Sequence, residues 1–167
     1  MTESSELHAG IRAFGAAYNY DASYLHDLLD ASSGAYAAFA DAQKMGVYRW
    51  ALPLDAHYVA RIATMLTDDC GACGNLNVKM ALEAGVEAEI VEALLHAPED
   101  LDAHLHDVFR HTCDVISGDV LDPDRLERLR AHYGGEAFAE LAVTITGSRI
   151  YPTVKRALGA ITACEAV

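Results

Sequence analysis

The chain has 167 residues, 52% of them hydrophobic, and carries 12 Lys and Arg against 25 Asp and Glu, a formal charge of -13. That length suits one domain with a core of ordinary size and no need of disulfide staples. The acidity argues against nucleic acid and against an anionic membrane surface as partners, since both would repel it.

Rich in alanine and poor in proline, the sequence reads as helical. The opening MTESSELHAG is polar and acidic, not a basic stretch followed by an apolar run, so no signal peptide is expected. Residues 5–17 predict a short helix. Asp21 is placed to cap a second, ASYLHDLLDAS, with Tyr24, Leu25, Leu28 and Leu29 on one face. Ser32-Ser33-Gly34 interrupts it, and AYAAFADAQKMG predicts a third helix that Gly46 stops. LPLDAHYVARIATML holds Pro53 in its first turn, and Leu54, Tyr58, Ile62 and Met65 recur at helical spacing.

Thr67-Asp68-Asp69 ends that helix and is placed to cap the next, which starts near Cys70 and runs to Ala84, where Gly85 stops it. VEAEIVEALLHA predicts a further helix ended by Pro98, and Glu99 to Ser117 another. DPDRLERLRAHYGG follows, with Asp122 as cap and Pro123 in the first turn. The last stretch, Glu136 to Cys164, is expected to break or kink near Pro152. LAVTITGSRIY is rich in β-branched residues, but Leu141, Ile145 and Ser148 fit a helix face, and nothing alternates with period two. The expectation is an all-α fold of eight or nine helices, one domain over 1–167 with a helical N-terminal extension over 1–46. No run approaches about 18 uninterrupted apolar residues, so no membrane span is expected.

Cysteines stand at 70, 73, 113 and 164, which is not the layout of a disulfide framework; the reading is a cytoplasmic protein with reduced thiols. Cys70-Gly-Ala-Cys73 is the pair with chemical meaning. On a first helical turn, i and i+3 share a face with β-carbons about 5–6 Å apart, within a small adjustment of disulfide distance. Helix-start N–H groups favour a thiolate. Gly71 and Gly74 leave bare backbone beside both sulfurs. Against this, Asp68 and Asp69 precede Cys70, and Thr67–Val78 holds no Lys, Arg or His to offset them. The residues alone leave three readings: a redox dithiol, a buried inert pair, or half of a zinc site. Zinc would draw Cys113 and Cys164 from distant helices.

The run LTDDCGACGNLNVKMALEAGV, followed by EAEIVEAL, resembles the carboxymuconolactone decarboxylase superfamily, and within it the alkylhydroperoxidase D-like (AhpD-like) branch. The resembling core covers about residues 52–95, and SRIYPTVKRALG resembles the ending of longer members. The resemblance implies an AhpD-like helical bundle and homo-oligomers, commonly trimers or hexamers. It implies a peroxide-reducing dithiol, here Cys70 and Cys73, that needs no flavin, haem or metal and is served by a thiol reductant protein.

Family members carry a glutamate twelve residues before the first cysteine and a histidine four after the second; here those positions hold Tyr58 and Asn77. Asn77 cannot accept a proton near neutral pH, and the ordinary tyrosine pKa of about 10 makes Tyr58 a poor base. Both can still orient water or substrate. His57 is a candidate substitute base, although one residue along a helix turns a side chain by about 100°. The decarboxylase branch lacks the dithiol.

Elsewhere, EDLDAHLHDVFRHTCDVIS sets Leu101, Leu105, Val108, Thr112 and Val115 as an apolar stripe. Asp100, His104, Asp107, His111 and Asp114 lie opposite, read as a solvated face in preference to a metal site. Arg149, Tyr151, Lys155 and Arg156 form a basic, aromatic cluster suited to an anionic substrate or, on the simpler reading, to pairing with carboxylates. Tyr48 and Trp50 read as core or interface packing.

The expected function is a thiol oxidoreductase in which one sulfur attacks a peroxide or disulfide and the other resolves the product. A non-catalytic helical oligomer is one alternative. A small-acid lyase or isomerase using His57, Tyr58 and the basic cluster is another, and it requires those groups to meet in one pocket.

Overall fold

A computed structural model describes residues 3–160 and, among them, eight α-helices, one 3-10 turn and no strand. The helices are α1 (Glu3–Tyr18), α2 (Ser23–Ala31), α3 (Ser33–Val47), α4 (Leu54–Thr67), α5 (Gly71–Ala84), α6 (Ala88–His96), α7 (Ala103–Ser117) and α8 (Pro123–Ala157). The 3-10 turn, Pro98–Asp100, lies between α6 and α7. The fold is all-α, as the sequence predicts. No described helix is long and apolar enough to cross a membrane.

Many helix ends fall where local chemistry puts them. Asp21 Oδ1 accepts from the Ser23 N–H at 2.9 Å at the start of α2. Ser32 is extended, and its Oγ accepts from the Ala35 N–H at 3.1 Å, so the residue that ends α2 also caps α3. Gly85 closes α5 at φ 97°, and the Val86 N–H reaches back to the Ala81 carbonyl at 3.0 Å. Asp122 caps α8 through the Asp124 N–H, with Pro123 in the first turn.

Other expectations give way to tertiary packing. Helix α3 does not stop at Gly46; it runs to Val47, and Gly46 marks instead where α3 crosses α8. The break in α8 falls at Gly134, at the predicted boundary between DPDRLERLRAHYGG and the last stretch, and none falls near Pro152. Gly134 has φ 76° and ψ 171°, a conformation that suits glycine alone, while the helix continues through Pro152 to Ala157. The inward face of α7 is rotated from the predicted stripe. Val115 is exposed, while His111 and Asp114 are buried beside Leu105, Val108, Thr112 and Ile116. Partners on α8 explain this: His111 packs on the Phe138 ring, and Asp114 receives Arg125. Tyr48 and Trp50 are not core residues; Trp50 is 81% exposed.

Helix α4 is the axis of the molecule. Every residue from Ala56 to Met65 is buried, as expected of a helix packed on several sides, and α5, α7 and α8 all pack on it. One apolar cluster joins Leu52, Val59 and Ile62 to Leu94, Val108 and Leu141 from the later helices. A second joins Ile11, Tyr24, Leu29 and Phe39 from α1–α3 to Met65, Cys70 and Cys73. The N-terminal helices therefore form the roof over the CxxC end of α4 and α5. The connection into α4 is held by Glu140 of α8, whose carboxylate accepts from the N–H groups of Trp50, Ala51 and Leu52 at 2.9–3.0 Å. Burial alone would raise its pKa, and those bonds, with Arg49, carry it below the usual range.

Candidate functional site

Cys70 is the N-cap of α5, and Cys73 lies one turn along; they are 4% and 2% exposed. Both are free thiols. The tight passage from α4 to α5 puts them there: the Cys70 N–H bonds the Met65 carbonyl at 3.0 Å, and the Gly74 N–H bonds the Cys70 carbonyl at 2.8 Å. The Cys73 thiol donates to the Cys70 sulfur. That bond outweighs burial and, with the Cys73 N–H and the charges of Lys155 and Arg156, pushes the Cys70 thiol down to about 6. Cys73 moves the other way, because its proton is held in that bond and because it is buried beside the Cys70 charge. The pair thus gives up a first proton early and keeps the second.

The cation missing from the sequence around Cys70 arrives from the far end of the chain. Lys155 of α8 is 6% exposed, with Nζ over the rings of Tyr20 and Tyr24 at 4.9 and 5.2 Å. Asp68, which reads in sequence as a local brake, is turned away to Arg149 and Arg156 at 3.6 and 3.7 Å. Arg156 also donates to the Asp68 carbonyl. Tyr20 Oη lies 3.7 Å from Cys73 Sγ and 3.5 Å from Tyr24 Oη. Burial, then the neighbouring Tyr24 and Cys73, raise the Tyr20 pKa, so it remains a phenol and a donor.

A cavity of about 260 Å³ reaches Cys73 from the side of the N-terminal helices. Tyr20, Tyr24, Tyr36 and Tyr151 contribute its aromatic wall, and Arg61 and Asn77 its polar corner. Exposed Gly10 and Val47 stand at its edge. The chain matches no family model, no curated protein and no solved structure.

Of the candidate site residues read from the sequence, Cys73, Asn77 and Tyr151 share this cavity, and Cys70 sits directly behind Cys73. Asn77 is a structural bridge. Its Nδ2 donates to the Cys73 carbonyl at 2.8 Å, and its Oδ1 accepts from Arg61 Nε at 2.9 Å. Tyr58 does not line the cavity; its ring lies against the Arg61 guanidinium, 5.2 Å from centroid to Cζ. His57 points to α8, with Nδ1 3.2 Å from Thr144 Oγ1, and burial together with Arg61 and Arg49 pushes its pKa down to about 4. His57 and Tyr58 do not line the cavity, while Tyr151 of the basic, aromatic cluster does. The sequence reading assigns Arg61 and Tyr20 no role, and places Tyr24 only on an apolar helix face. Arg61 had a signal: it is the lone cation inside an otherwise apolar helical run.

Among the described residues, no three His, Cys, Asp or Glu are grouped to hold a metal ion. His104 stacks on His132 at 4.5 Å, and Asp107 pairs with Arg128, not with a histidine. Cys113 accepts from Thr67 Oγ1 at 3.4 Å, and burial raises its pKa. Cys164 lies outside the described residues.

The site makes a direct electrostatic prediction. Thiolate absorbance in the ultraviolet should develop with a midpoint near pH 6, against about 8.5 for an ordinary thiol. Lys155→Met, which keeps the buried volume, should move the midpoint upward and cut the thiolate present at pH 6.5 by about threefold. An unmoved midpoint would remove Lys155 from the account.

Proposed function

We propose that the chain is a dithiol oxidoreductase of the AhpD-like kind, reducing an organic peroxide or a disulfide held in the cavity. The observation that carries this reading is the pair of free thiols on the first turn of α5, with Cys73 facing a cavity; the lowered pKa of Cys70 supports it. Charge on the pair reaches the cavity when the shared proton moves along the S–H···S bond from Cys73 to Cys70.

With a peroxide, Cys73 sulfur attacks the O–O bond, taking one oxygen as sulfenic acid while the alkoxide leaves and takes a proton. Cys70 sulfur then displaces that oxygen as water, forming the Cys70–Cys73 disulfide. Two thiols and one hydroperoxide become one disulfide, one alcohol and one water. With a disulfide substrate, the same two sulfurs release two thiols through a mixed disulfide. An external thiol reductant, protein or small molecule, returns the pair to the dithiol, which fits a reducing compartment such as the cytoplasm.

A trimer or hexamer belongs to the same reading, and exposed Val47, Tyr48 and Trp50 supply apolar surface for a second copy. Reaction of the reduced protein with one equivalent of cumene hydroperoxide should remove two titratable thiols and two hydrogens of mass. The cross-link should map to the peptide holding Cys70 and Cys73. Retention of both thiols would overturn the proposal.

A further inference from the structure

Arg61 is 7% exposed and lines the cavity, yet no described carboxylate pairs with it. The groups that bear on its charge are burial and the phenols of Tyr58 and Tyr151. Its Nε donates to Asn77, and its Nη2 contacts Met80 Sδ at 3.9 Å. These engage two of the five donors a guanidinium offers. The chain has 25 Asp and Glu, and among the described residues not one acidic side chain lines this cavity. A buried cation costs several kcal/mol unless an anion answers it, and among the described residues none does.

The rest of the wall defines what such an anion must carry. Ile11, Phe14, Leu25, Met65 and Leu76 make it apolar, and tyrosine rings complete it. Its volume, about 260 Å³, exceeds the roughly 150 Å³ that admits a benzene ring. We infer that this cavity binds a monocarboxylate with an apolar body, its carboxylate on Arg61 and its body along the aliphatic and aromatic wall. A single guanidinium balances one negative charge and presents a planar fork that a carboxylate matches. A phosphate dianion would bring a second charge into an apolar space that offers it no partner. Asn77, standing where the resembling family has a histidine, fixes the guanidinium from behind. As a statement about the substrate, the inference rests on the dithiol reading: the ligand's reactive bond would lie against Cys73.

The test is calorimetric titration of the reduced full chain with octanoate and with octanamide, which share a body and differ in charge. Octanoate should bind at least about tenfold more tightly than octanamide. Asn77→Asp, nearly equal in volume, gives Arg61 a carboxylate of its own and should abolish the preference. Arg61→Met should do the same, with helix content checked by circular dichroism. Equal affinities in the parent chain, failure of both ligands to saturate, or a preference that survives Asn77→Asp would each overturn the inference. No oxidant is present, so the result is independent of redox activity. Carboxylate binding without peroxide or disulfide turnover would sink the dithiol reading and leave the ligand class standing. Turnover without carboxylate preference would do the reverse.

Discussion

If the proposed dithiol chemistry operates, Cys73→Ser should bring peroxide and disulfide reduction to background, a loss of at least about a hundredfold, while Cys70→Ser should stop the reaction after its first half. The difference follows from where the sulfurs lie. Cys73 faces the cavity, and Cys70 is behind it at the α5 N-terminus. A serine hydroxyl at 73 offers no nucleophile at neutral pH, so no covalent product should form. With Cys70 replaced, Cys73 can still attack, but nothing resolves the product. A sulfenic acid or a mixed disulfide on Cys73 should then accumulate, visible as one added oxygen or one added substrate thiol. The attack should also slow, because the donor-acceptor bond that lowers the pair's first ionisation is gone.

The double variant should be no worse than Cys73→Ser, since the sulfurs act as one unit. Full turnover in both single variants would end the dithiol reading. A trapped adduct on Cys70 in Cys73→Ser would leave that reading in place and reverse the order of attack. In the parent chain, the half-reaction should accelerate as pH rises through about 6 and level off above it, because the thiolate is the attacking form.

The legible part of this protein was the part written locally. Helix type, the Asp122 cap and the Gly85 stop rest on residues adjacent in sequence, and the structure follows them. The Cys70–Cys73 spacing likewise placed both sulfurs on one turn. The groups that act on them were not legible, because they come from elsewhere in the chain. Lys155 lies 85 positions beyond Cys70 in sequence, and Tyr20 lies 50 before it. A window around the CxxC shows two aspartates and no cation, so it gives the opposite sign for the local field.

The same limit explains α7. A helical pattern counts Asp114 and His111 as polar and therefore outward, yet Arg125 and the Phe138 ring on α8 make their burial tolerable. It also explains the first 46 residues. Read as an extension of a family core, they instead supply Ile11, Phe14, Tyr20, Tyr24 and Tyr36 to the cavity. Tyr58 and Asn77, at the relay positions of the family the sequence resembles, both contact Arg61. The position of Arg61, and not a missing base, is what their side chains have in common.

Gly147→Ala should be a strongly destabilising single methyl addition. A Cβ at Gly147 would lie 2.2 Å from Gly46 N, 2.6 Å from the Met45 carbonyl carbon and 2.7 Å from Gly46 Cα. These are backbone atoms of α3, so no side-chain rotation relieves the clash, and the two helices must separate. Overpacking of this kind costs about 3 kcal/mol or more, which for a chain of this size lowers Tm by roughly 6–12 °C.

Gly10→Ala in α1 is the control: no atom comes within 4 Å of the added methyl, and alanine's helix preference should leave stability equal or up to about 1 kcal/mol higher. The consequence reaches the site. Helix α3 brings Tyr36, Gln43 and Val47 to the cavity, and α8 brings Tyr151 to the cavity and Lys155 to the dithiol. Prising α3 from α8 should therefore loosen the cavity and raise the dithiol's midpoint toward that of an ordinary thiol, in the fraction that still folds. Thermal melts of the two glycine variants, paired with thiolate titrations, measure both effects. An unchanged Tm in Gly147→Ala would mean that the α3–α8 crossing is not the tight backbone contact described.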